Sequence, residues 1–165
     1  MKRTSLMALV MSFLWAHGFS QDSLSTGDKY LNFEINRTPF ISGGYFIQNR
    51  LALQAGIGFS FNGENDSNGL GIQLGVDKYL RGGRLSPLLG GYVRFDINPN
   101  ALDEAGWEGS RMFLGGHWGL NLFLWKNFAA AGMLGVELIF NSPERGNDST
   151  VLTSLASSVK FRFFF

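Results

Sequence analysis

The chain has 165 residues, enough for one domain and too few for two separate cores. Fourteen basic and thirteen acidic residues give a net charge of +1, which argues against the broadly basic surface that a nucleic-acid partner requires. Cysteine is absent, which rules out disulfides and thiolate zinc sites, while 22 glycines, 16 phenylalanines and only four prolines suit strands better than helices.

The first twenty residues stand apart. Lys2 and Arg3 precede an apolar run from Leu6 to Trp15, and Gly18-Phe19-Ser20 ends it with small residues on either side of Phe19. This pattern predicts a secretory signal peptide over residues 1–20, too short to cross a bilayer as a helix, cleaved after Ser20 or alternatively after Gly18. The mature part, residues 21–165, loses Lys2, Arg3 and His17. Twelve basic residues then face thirteen acidic ones, a net charge of −1, and His117 is the remaining histidine.

From there the chain alternates at period two, the spacing of a strand with two unlike faces. Leu31, Phe33 and Ile35 oppose Asn32 and Glu34. Ile41, Tyr45 and Ile47 oppose Ser42, Gly44 and Phe46, the last of which breaks the pattern. From Leu51 to Phe61 all the large apolar residues fall on odd positions, facing Ala52, Gln54, Gly56, Gly58 and Ser60. Leu70, Ile72, Leu74 and Val76 oppose Gly71, Gln73, Gly75 and Asp77. Leu85, Leu89, Val93, Phe95 and Ile97 oppose Ser86, Gly90, Tyr92, Arg94 and Asp96. Met112, Leu114, Trp118, Leu120, Leu122 and Leu124 oppose Arg111, Gly115, His117, Gly119 and Asn121. Phe128, Leu134, Val136, Leu138 and Phe140 oppose Glu137. Finally Val151, Leu155, Val159, Phe161, Phe163 and Phe165 oppose Ser154, Ser158, Lys160 and Arg162.

One face is bulky and nearly free of charge; the other is small or neutral with a few ions. A soluble barrel would put many Lys, Glu and Asp on its outer face. The expectation is therefore an all-β, eight-stranded antiparallel up-and-down transmembrane barrel, apolar outside and filled by side chains within. Parity demands odd connections at Gln48-Asn49-Arg50 and Trp125-Lys126-Asn127, and a third short turn falls at Arg81-Gly82-Gly83-Arg84. Longer polar loops fall at Asn62 to Asn68, Asn98 to Gly109 and Asn141 to Ser149. Short turns on one side and long loops on the other fit an outer-membrane barrel with both termini in the periplasm.

The closing run Val159-Lys160-Phe161-Arg162-Phe163-Phe164-Phe165 follows this signal peptide and strand count. Pro39-Phe40-Ile41-Ser42-Gly43-Gly44-Tyr45-Phe46-Ile47 runs into Asn49-Arg50-Leu51-Ala52-Leu53. With these features the mature chain resembles the OmpA/OmpX-like small outer-membrane barrels, the outer membrane protein beta-barrel domain group. The resemblance implies location in the outer membrane of a Gram-negative bacterium, in contact with outer-membrane lipid. It also implies that Phe161, Phe163 and Phe165 are read by the barrel-assembly machinery during insertion.

The candidate site residues are the inward charges Glu34, Asp77, Arg94, Asp96, Glu137, Lys160 and Arg162. Buried charges must be paired, so these form either a plug of ion pairs or a gated ion path. Glu34 and Lys160, on the first and last strands, are expected to pair. His117 is expected to bond Glu137 or Asn121. As a general base it lacks the serine two places on that barrel deacylases carry, Gly119 standing there. One histidine is too little for a metal site. Leu102 and Trp107 in the longest loop are a candidate surface contact. No catalytic residue, cofactor or metal is expected, and the extracellular partner is open. The functional expectation is a non-enzymatic envelope-structural or surface-interacting barrel; the alternatives are a lipid-modifying enzyme, a narrow pore or a soluble lipocalin-like barrel.

Overall fold

A computed structural model describes residues 24–35, 39–62, 67–97, 109–143 and 147–165. The strands are β1 (Lys29–Ile35), β2 (Phe40–Gln48), β3 (Leu51–Asn62), β4 (Ser67–Tyr79), β5 (Leu85–Ile97), β6 (Gly109–Trp125), β7 (Phe128–Pro143) and β8 (Ser149–Phe164). Each pairs antiparallel with its sequence neighbour, and β1 pairs with β8 to close the barrel. The expected signal peptide and the pair Leu102 and Trp107 lie outside the described residues.

The apolar face is outside. Leu53 (47% exposed), Leu74 (62%), Leu120 (47%) and Leu138 (37%) all point away from the axis, while Asn32, Asp77, Asn121 and Arg162 inside are fully buried. A closed sheet leaves one curved interior, and the smaller, polar residues are the ones that fill it. The sheet is strongly sheared. Following paired residues from Glu34 through Phe40, Gly58, Gly71, Asp96, Arg111 and Asn141 ends at Ser149, whereas Glu34 itself faces Lys160. Ser149 and Lys160 are eleven positions apart, one of them bulged, which for eight strands means a tilt of about 40°.

Several details differ from the sequence reading. The turns after β2 and β6 contain two residues, Asn49-Arg50 and Lys126-Asn127, and the extra residue is a bulge at Ile47 and at Leu124. The bulge restores the parity that a three-residue turn would have supplied. A third bulge falls at Leu155, whose φ is +61°, between the pairs Gly135–Ala156 and Val136–Ser154. It exchanges the two faces of upper β8: Leu152 and Ser154 pair with the outward Leu138 and Val136, and Val151 moves to the inner side with Ile139. The strands also run further into the expected loops, with Asn62, Ser67, Asn141, Ser142 and Pro143 all in strand.

Phe46, the residue that broke the alternation, is 0% exposed. It belongs to an apolar plug across the turn end of the barrel, with Leu24, Tyr30, Tyr79, Phe123 and Phe164. The rings interlock: Tyr30–Phe46 at 5.9 Å, Tyr30–Phe164 at 5.5 Å, Phe46–Tyr79 at 5.6 Å and Phe123–Phe164 at 5.1 Å between centroids. The segment before β1 runs across this end, with Gly27 N donating to Phe46 O and Arg50 N to Leu24 O.

Candidate functional site

The interior charges form two tiers above the aromatic plug. In the lower tier Arg162 Nη2 donates to Asp77 Oδ2 at 2.6 Å, and Arg162 Nη1 donates to the Tyr79 hydroxyl. The guanidinium also lies over the Tyr30 and Tyr79 rings, 5.3 and 5.7 Å from their centroids. His117 Nε2 lies 2.8 Å from Asp77 Oδ1. An ionised carboxylate only accepts, so Nε2 carries the proton. Asp77 thus has a partner on each oxygen, and a fully buried pair of charges is satisfied from several directions.

In the upper tier Lys160 Nζ meets Glu34 Oε2 at 3.2 Å, and Arg94 Nε meets Asp96 Oδ1 at 3.2 Å. The Arg94 guanidinium sits between two rings, 3.8 Å from the Phe113 centroid and 5.4 Å from that of Phe40. Tyr92 donates its hydroxyl proton to Glu137 Oε1. All seven inward charges expected from the sequence face the interior. The Glu34–Lys160 pair sits in direct register across the seam.

The partner of His117 differs from expectation. It bonds Asp77, and Glu137 bonds Tyr92. The register gives the reason. Asp77, Gly90 and His117 occupy one row across β4, β5 and β6. With no side chain at Gly90, the two outer residues meet over it, and a Cβ there would collide with both. Tyr92, Gly115 and Glu137 form the same arrangement across β5, β6 and β7. Phe40 uses it twice, lying over Gly58 and Gly71 toward Asp96. These three interior contacts between strands that are not neighbours thus pass over glycine. Sequence reasoning missed these partners because the pairing becomes visible only once three strands are in register. A glycine between two polar inward positions in that register is the signal.

Chemically the arrangement holds and closes. Asp77 orients His117 as in a base-activating pair, but the hydrogen bond found for that imidazole goes to the carboxylate, and the Tyr92 ring lies 5.9 Å away. The charges on either side are committed to partners of their own. Phe161, Phe163 and Phe165 point outward, Phe161 half-buried beside Phe128, while Phe164 between them turns into the plug.

These features define a closed eight-stranded antiparallel barrel with an apolar exterior and an ion-paired interior. Its fold is similar to that of the N-terminal β-barrel domain of Pseudomonas aeruginosa OprF, with a TM-score of 0.52 and 14% identity, over 89% of this chain and 100% of that one. No protein-family model and no curated protein matches the sequence.

Proposed function

We propose that this chain is an integral outer-membrane β-barrel of a Gram-negative bacterium, exported by a signal peptide over residues 1–20, with a non-enzymatic structural or surface-interacting role. The carrying observation is the exposed belt of large apolar side chains, Ile57, Ile72, Leu74, Leu89, Val93, Leu114 and Leu120 among them, around a polar interior. Such a surface in water would far exceed the apolar patches that soluble proteins expose. In a bilayer it is the required one, because a closed sheet satisfies every backbone group internally. Trp125, Phe128, Phe163 and Tyr45 add aromatic rings near the turn end, as at a membrane interface.

On this reading the interior is a plug and not a path, since the aromatic layer and both tiers of ion pairs fill it. Phe161, Phe163 and Phe165 serve barrel assembly, and Leu102 and Trp107 are candidate contacts outside the cell. Fractionation tests the proposal directly. The mature chain should enter the membrane fraction and shift in mobility between unheated and boiled gel samples. Recovery in the soluble fraction without detergent would overturn it.

A further inference from the structure

We infer that the turn end of the barrel is a binding surface for the anionic headgroups of phospholipids in the periplasmic leaflet. The inference rests on the membrane reading proposed above. Charge along the barrel axis runs in one sense. Each tight turn carries a cation: Arg50 after β2, Arg81 and Arg84 after β4, and Lys126 after β6. Lys29 at the start of β1 and Lys78 near the end of β4 complete the ring. The acid on this rim, among the described residues, is Asp28, which is half-buried and accepts from Ser25 N at 2.8 Å. Asp77 faces the interior and is committed to Arg162 and His117. The connections at the other end have the opposite sign. Glu64 and Asp66 follow β3, and Asp103, Glu104 and Glu108 follow β5, with no base in either segment.

Two of these cations stand in the wall itself. Among the described residues, Lys29 and Lys78 are the charged side chains on the outward face of the strands, and both lie at the turn end. Lys29 pairs with Tyr45, and Lys78 sits between Leu51 and Leu89, neighbours that share the apolar outer face. A lysine in that place lays its methylenes on hydrocarbon and lifts its ammonium into the headgroup layer. Tyr45 beside Lys29 and Trp125 beside Lys126 add exposed rings at the same end, the place such rings take at the headgroup boundary.

The three lysines are available for this role. Lys29, Lys78 and Lys126 are exposed, and none makes a side-chain hydrogen bond or ion pair among the described residues. Arg50 and Arg81 are partly committed, Arg50 Nη1 donating to Leu80 O and Arg81 Nε to Leu85 O, each at 3.3 Å. Basic residues at a membrane surface attract anionic lipid, and the attraction fades within a Debye length, about 10 Å at 0.1 M salt. A soluble acidic partner would meet the turn cations but would gain nothing from lysines set in the lipid-facing wall. A lipid phosphate meets both sets at once.

The test is electron paramagnetic resonance of the mature protein in phosphatidylcholine vesicles with trace spin-labelled phosphatidylglycerol or spin-labelled phosphatidylcholine. Label in contact with the barrel wall is motionally restricted, and the restricted fractions give the relative affinity of the two lipids. At about 0.1 M salt phosphatidylglycerol should be preferred at least about threefold, and at about 1 M salt the preference should fall to about one. In the triple variant Lys29→Gln, Lys78→Gln, Lys126→Gln it should drop below about 1.5-fold at the lower salt, while the matching lysine-to-arginine variant keeps it. If the glutamine variant does not insert, the salt titration of the unaltered protein decides. Equal affinity for the two lipids, a preference that survives about 1 M salt, or full preference in the glutamine variant would each overturn the inference. Failure of the membrane reading would show separately, as the absence of a restricted component with either label.

Discussion

Replacing Gly90 by alanine adds one methyl group and tests the row logic of the interior. The new Cβ would stand 2.5 Å from Asp77 Oδ1 and from the Val76 carbonyl oxygen, and closer still to His117 Nε2. The Val76 oxygen is backbone within the β4–β5 ladder, so it cannot swing aside. Relief requires His117 to leave Asp77 or the strands to part. A lost hydrogen bond to a charged group costs about 1.5–3 kcal/mol. Forcing a methyl group into a filled interior costs about 1–3 kcal/mol more. The expected loss is thus about 2.5–6 kcal/mol, read as a lower urea midpoint for unfolding from lipid vesicles, with the slope unchanged. Gly132→Ala is the control, because nothing lies within 4 Å of a Cβ at that outward position. There alanine should be neutral or stabilise by up to about 1 kcal/mol, through the unfolded chain. Equal effects of the two substitutions, or a Gly90→Ala cost below about 0.5 kcal/mol, would refute the claim that the Asp77–His117 contact requires glycine beneath it.

Three other perturbations separate the remaining claims. Lys160→Ala strands the buried Glu34 carboxylate and should destabilise by about 3–5 kcal/mol, while planar-bilayer recordings still show negligible conductance; open channels would mean that the interior is a path. Leu74→Lys should cost about 2–4 kcal/mol if that side chain meets the bilayer midplane, against about 0.5 kcal/mol or less if it meets water, so unfolding in vesicles distinguishes the two solvents. Gln54 is buried with both side-chain amide atoms lacking a hydrogen-bond partner among the described residues, so Gln54→Met should leave the unfolding midpoint unchanged or raise it; a marked fall would reveal a partner for that amide.

The architecture was legible because an apolar exterior and a polar interior impose strict alternation on every strand. Leu51 to Phe61 and Leu70 to Asp77 carry that alternation almost without error. Where the interior itself is apolar the pattern loses its meaning. Phe46, Tyr79, Phe123 and Phe164 are large and inward, yet the sequence reading assigned bulk to the outside. The bulge at Leu155 left no local mark either, since leucine is not a residue that favours positive φ, and so Ser154 and Val151 were assigned to the wrong faces. Of the site, the inward charges were identifiable one by one. Glu34 and Lys160 could be matched because the seam joins the first strand to the last, whereas the Asp77–His117 contact depends on the register of two consecutive hairpins.

Lys29 and Phe165 exchange two backbone hydrogen bonds, at 3.2 and 3.0 Å. Seven of the eight strand pairings are hairpins between chain neighbours, but this one joins segments more than 120 residues apart. The entropy of closing the ring is therefore concentrated in a single late event, and the folding rate should be governed by it. Because the two segments lie side by side, a short peptide could tie them together and fresh ends could be opened at one of the tight turns. The same barrel would then form from a rearranged chain, with its costliest encounter converted into a local one.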